Sequence, residues 1–92
     1  MRVIVCYDVP SNARRNRLFK RLKAFLEPVQ KSVFEGVLPA RLRPALMECI
    51  TGIVDREVDT VRVYQVCKGC AALMDLIGTS QVVADREEDT VI

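Results

Sequence analysis

The chain has 92 residues, one domain's worth and too few for a second. Half of the residues are hydrophobic, which excludes a disordered chain, and no apolar run nears the roughly 18 residues a membrane span needs. The net charge of +2 conceals a polarity, with +6 over residues 1–31 and −4 over the remaining 61.

The elements begin with residues 3–7 (VIVCY), a β-branched apolar run that predicts a central strand buried on both faces. After Asp8-Val9-Pro10, Ser11 or Asn12 is placed to cap a helix running to about Leu26. Leu18, Leu22, Phe25 and Leu26 form its apolar stripe, Arg14, Arg17 and Arg21 lie on another face, and Pro28 stops it. Residues 29–38 (VQKSVFEGVL) are extended, either as one long strand or as two, with Gly36 marking a bulge or bend. Pro39 and Pro44 suit the beginning of a second helix, whose apolar face of Leu42, Leu46, Cys49, Ile50 and Ile53 lasts to about Val54. Thr60-Val61-Arg62-Val63-Tyr64-Gln65-Val66 reads as a strand, followed by a turn from Cys67 to Cys70. Residues 73–77 suggest another strand, with a short helix as the alternative, and a last short strand is placed near residues 90–92.

Strand, helix, extended segment, helix and strand make the βαββαβ order of an α+β ferredoxin-like sheet, with both helices on one face. A first strand apolar on both faces then needs cover on its second side. A second copy of the chain would supply it, and a domain this small gains from such a partner. Of the cysteines, only Cys67 and Cys70 have ligand-like spacing, and no histidine is present to complete a zinc site. Cys6 and Cys49 lie on apolar faces, where thiols pack as small hydrophobes, so reduced structural cysteines are expected. The basic N-terminal third and the acidic cluster at Asp85, Glu87, Glu88 and Asp89 suggest one face for a polyanion and one kept away from it. A solvated helix face gives the same composition. With no signal-peptide pattern, a cytoplasmic protein without a membrane partner is expected.

Three stretches taken together resemble a known family. Val3-Ile4-Val5-Cys6-Tyr7-Asp8 is similar to its opening strand and Asn12-Ala13-Arg14-Arg15-Asn16-Arg17-Leu18 to its basic first helix. Val29-Gln30-Lys31-Ser32-Val33-Phe34-Glu35-Gly36 is close to its most recognisable segment, and Val61-Arg62-Val63-Tyr64 continues the match. On these residues the chain resembles the Cas-two family of CRISPR-associated proteins, which serve antiviral defence. The resemblance implies a single ferredoxin-like domain over residues 1–92, with an extra C-terminal strand crossing to the other protomer of a symmetric homodimer. It implies a place beside the companion integrase, Cas one, bridging DNA during spacer acquisition. It also implies metal-dependent endonuclease activity on RNA or DNA, with Asp8 as catalytic residue and metal ligand. The loop after Asp8 reads Val-Pro-Ser-Asn-Ala, without the extra acidic residues common in the family. A toxin-type ribonuclease of the virulence-associated family, which shares the fold, is the alternative.

At Asp8 two roles compete. A carboxylate between a strand end and a helix start can cap the helix. It can also hold Mg²⁺, or Mn²⁺ in its place, since magnesium takes one or two carboxylates and leans on water and phosphate oxygens for the rest. A two-fold axis would add a second Asp8. The absence of histidine excludes a histidine-based ribonuclease mechanism. Arg14, Arg15, Arg17 and Arg21 are the candidate phosphate contacts, because guanidinium forks pair with phosphate oxygens. Tyr7 and Phe34 are candidates for stacking on bases, with core packing the competing role for Phe34. Ser32 either touches a phosphate or satisfies a strand neighbour.

Overall fold

The computed structural model describes residues 1–71. The element order is β1 (Arg2–Asp8), α1 (Asn12–Leu22), β2 (Glu27–Gln30), β3 (Val33–Val37), a 3₁₀ turn (Ala40–Leu42), α2 (Arg43–Ile53), β4 (Thr60–Val66) and α3 (Lys68–Ala71). Four strands form one sheet in the order β2-β3-β1-β4, with every neighbouring pair antiparallel. This is the ferredoxin-like arrangement: β1 and β2 are joined through α1, and β3 pairs in the gap between them.

Alternation along β1 decides what the helices cover. Val3, Val5 and Tyr7 are buried, while Ile4 and Cys6 on the opposite face stay half-buried and Asp8 is exposed. Leu18 and Leu22 of α1 and Leu46 and Ile50 of α2 close over the first of these faces, together with Phe34. The first strand is therefore fully buried on one face only. On the other, Arg2 is buried against Glu35, with its Nη1 2.8 Å from Oε2.

Three boundaries differ from the sequence reading, each for a local reason. Helix α1 stops at Leu22 rather than near Leu26. The chain then tightens, with Ala24 N–H donating to Arg21 O and Phe25 N–H to Leu22 O. Leu26 keeps its place in the core, 4% exposed, from within this turn. Pro28 lies inside β2 instead of ending a helix, and an edge strand tolerates its missing N–H. The extended segment is a hairpin broken at Lys31 and Ser32, and its bulge falls between Pro28 and Gln30 rather than at Gly36. Gly36 serves a close approach: a Cβ there would stand 3.0 Å from Leu26 Cδ2.

The second helix and β4 agree with expectation, with Pro44 in the first turn of α2 and β4 spanning Thr60–Val66. In place of the turn expected from Cys67 to Cys70, residues Lys68–Ala71 are helical, as α3. Cys6, Cys49 and Cys67 are free thiols. Burial pushes the Cys49 thiol pKa up, partly offset by the nearby Arg21 charge. No described helix is long and apolar enough to cross a membrane. The strands expected at residues 73–77 and 90–92, the acidic cluster at 85–89 and the crossing C-terminal strand lie outside the described residues.

Candidate metal and nucleic-acid site

Antiparallel pairing brings four chain segments to one end of the sheet. There β1 ends at Asp8, α1 begins, the β2–β3 turn closes and β4 starts at Thr60, directly opposite Asp8. Tyr7 N–H donates to Ser32 O at 3.1 Å, and the Tyr7 hydroxyl donates to Lys31 O at 3.3 Å, so the hairpin turn is tied to the end of β1.

At Asp8 the structure separates the two roles the sequence left open. The cap of α1 is Ser11, whose hydroxyl accepts the Arg14 N–H at 3.2 Å. Asp8 is exposed, and its carboxylate has no hydrogen-bond or ion-pair partner among the described residues. Helix capping is thus taken by a neighbour, and the Asp8 oxygens remain available to an external ligand. Among the described residues no group of three or more His, Cys, Asp or Glu side chains could hold a metal ion. Among the described residues the donor set at this end of the sheet is the Asp8 carboxylate. This fits a cation that keeps most of its water and shares substrate oxygens, as Mg²⁺ does, and does not fit a closed zinc site.

The basic residues divide sharply. Arg14 spends its fork on Asp59, with Nε 2.7 Å from Oδ2 and Nη2 2.9 Å from Oδ1. Arg15 folds back over the loop after Asp8, its Nη1 donating to Val9 O at 3.0 Å and its Nη2 to the Asn12 side chain. Arg2 is committed to Glu35. Arg17 and Arg21 are exposed and make no hydrogen bond or ion pair among the described residues, so their guanidinium groups remain available to an external anion.

The aromatic candidates go to the core. Phe34 is 0% exposed, packed edge-on by Phe19 at 5.1 Å and stacked with Tyr7 at 6.3 Å between centroids. Tyr7 is 5% exposed, and burial raises its hydroxyl pKa. Neither ring offers a free face to a base, which corrects the stacking role considered for them. Ser32 is half-buried in the hairpin turn and contributes its carbonyl to Tyr7. The residue sequence reasoning missed is Asp59. Its only sequence signal is a carboxylate just before a strand, and its partner lies 45 positions away.

The geometry has clear relatives. The family model described as CRISPR associated protein Cas2 matches residues 1–74. A protein named CRISPR-associated endonuclease Cas2 2 from Thermus thermophilus is 35% identical over 83 residues, covering 90% of this chain and 88% of the relative. One named CRISPR-associated endoribonuclease Cas2 3 from Chloroflexus aurantiacus is 31% identical over 85 residues, covering 92% and 91%. Among solved structures, Streptococcus pyogenes Cas2 superposes with a TM-score of 0.74 at 26% identity, over 85% of this chain and all of that one.

Proposed function

The chain belongs to the CRISPR-associated protein Cas2 family, and from that membership we propose that it is an endonuclease of the CRISPR system that also binds and bridges DNA during spacer acquisition. The observation that carries the nuclease reading is Asp8: an exposed carboxylate at a strand end, relieved of capping by Ser11. The curated relatives named above are called endonuclease and endoribonuclease, which supports phosphodiester hydrolysis as the reaction class.

In this reading Asp8 holds Mg²⁺, and a second copy of the chain related by a two-fold axis supplies a second Asp8. The bound ion would polarise a phosphodiester and lower the pKa of an attacking water. The protein's own part is positional. Thr60 fixes the end of β1 by strand pairing, Tyr7 and Ser32 fix the hairpin turn beside it, and Arg17 and Arg21 attract the phosphate backbone. The half-buried Ile4 and Cys6 on the sheet face away from the helices support the homodimer. The companion integrase, Cas one, is the proposed partner in DNA bridging, where shape and charge matter more than Asp8.

The test incubates the protein and its Asp8→Asn variant with short RNA strands and DNA duplexes, in Mg²⁺ and in EDTA. Cleavage is expected only with both the metal and Asp8. It should fall more than about 100-fold in the variant, beyond what losing even an outer-shell partner costs a metal site. Cleavage that persists in EDTA or in Asp8→Asn overturns the nuclease reading.

A further inference from the structure

Beside the Asp8 end, α1 and the edge strand β2 leave a groove of about 560 Å³ between them. That lies within the roughly 300–1,000 Å³ typical of small-molecule sites. Phe19 and Pro28 contribute apolar surface, Asn16 and Gln30 bring two side-chain amides, and Arg15 and Lys31 bring two cations. Among the described residues no carboxylate lines the groove. The side chains of Asn16, Gln30 and Lys31 are exposed and have no hydrogen-bond or ion-pair partner among the described residues. Groups of this kind reach stability by solvation alone, so they are free to meet a ligand without breaking anything.

We infer that this groove takes one unpaired nucleotide of a single strand, its base against Phe19 and Pro28 and its phosphate toward the Lys31 ammonium. The inference rests on the reading of the chain as a nucleic-acid-binding protein, and it adds a preference to that reading. An amide presents a donor and an acceptor together, which suits the edge of any base. An apolar wall suits the base's face. A lysine ammonium without a partner among the described residues suits the phosphate. A duplex cannot use the groove, because its bases are stacked and paired away from the surface. The groove therefore favours single strands, or duplex ends with splayed bases, over continuous duplex.

The test measures binding in EDTA, where no metal-dependent cleavage intervenes. Fluorescence anisotropy compares a labelled single strand, the same strand with abasic positions, and a duplex, for the wild-type protein and an Asn16→Leu/Gln30→Leu variant. The wild-type protein is expected to bind the single strand about 10-fold more tightly than its abasic counterpart. A 10-fold ratio corresponds to about 1.4 kcal/mol. In the variant the ratio should fall, leaving only the share contributed by the Phe19 and Pro28 surface, while duplex affinity stays unchanged. Lys31→Ala should weaken the normal and the abasic strand equally, since it removes a phosphate contact and no base contact. Equal wild-type affinity for normal and abasic strands overturns the inference, as does a parallel loss for strand and duplex in the double variant. Neither result touches the Asp8 reading, and an inactive Asp8 site would leave the groove's base preference intact.

Discussion

Arg14 closes both arms of its guanidinium on Asp59, and the Asp59 side chain is entirely withdrawn from solvent while that of Arg14 stays 29% exposed. Asp59 Oδ2 also accepts the Asp55 N–H at 2.8 Å. The pair joins the first turn of α1 to the loop that launches β4, one residue before the Thr60 that lies opposite Asp8. An arginine whose spacing suggested phosphate binding instead sets the relation of two elements at the candidate site.

That pairing has an acid signature. The Arg14 hydrogen bond holds the Asp59 carboxyl below the usual carboxylate range. A group whose folded pKa is depressed contributes stability above its unfolded value, about 3.9 for Asp, and loses it as pH falls through the folded one. Wild type is therefore expected to melt above Asp59→Asn at pH 7, with the gap closing below about pH 4. Thermal melts by circular dichroism across that range check it. A gap that stays constant in acid would show that the ionised pair contributes nothing.

Salt dependence separates committed from free arginines. Each phosphate contact on duplex DNA contributes about 0.9 to the slope of log K against log salt. Arg17→Ala and Arg21→Ala are each expected to lower the slope by roughly that amount. Arg14→Ala should change it by much less, because its fork is already occupied. Anisotropy titrations over a series of salt concentrations measure all three.

Phe34 is a core residue, and its substitution should read as stability. Truncation to Ala at a fully buried aromatic costs about 3–5 kcal/mol. That is a large share of the 5–15 kcal/mol typical of a domain. Urea unfolding should show this loss for Phe34→Ala, and a smaller one for Phe34→Leu. Nucleic-acid affinity of the folded Phe34→Leu protein should be unchanged.

Two glycines should respond with opposite signs. At Gly36 an added methyl meets buried Leu26, 3.0 Å from Cδ2 and 3.4 Å from Cα, so Gly36→Ala is expected to cost on the order of 1 kcal/mol. Gly52 lies in α2, and nothing is within 4 Å of a Cβ there. Gly52→Ala should stabilise by about 0.5–1 kcal/mol through helix propensity. Chemical denaturation of both variants decides the signs.

The cap assignment is open to a similar comparison. Removing the Ser11 hydroxyl leaves the Arg14 N–H without its acceptor, at a cost of about 1 kcal/mol or a fall of roughly 4–8 °C in Tm. Asp8→Ala should stay within about 0.5 kcal/mol of wild type, as expected of an exposed side chain without partners. If Asp8→Ala proves the more damaging to Tm, Asp8 is structural after all.

Local chemistry made most of the fold legible in the sequence. The β-branched runs at residues 3–7 and 60–66, the prolines at the start of α2 and the leucine stripe of α1 act over a few residues, so their period and punctuation carry to the page. The βαββαβ order followed from them, and Asp8 stood out because it ends a strand. Misplaced boundaries arose where neighbours compete. Pro28 breaks a helix and is equally at home in an edge strand, and only the sheet order says which applies. Gly36 read as a bend because nothing local reveals Leu26 lying over it.

What tertiary structure alone decided is which polar groups are spent. Sequence determined that this chain carries a strand-end aspartate, a basic helix and few aromatics. It could not determine that Asp59, 45 residues from Arg14, would claim that guanidinium, or that Ser11 would free Asp8 from capping. Nor could it determine that Phe34 and Tyr7 would be buried together, with Phe19 packed edge-on against Phe34. A side chain's residue type sets what it can bind, but its availability depends on contacts between distant parts of the chain, and those exist only once the sheet has brought them together.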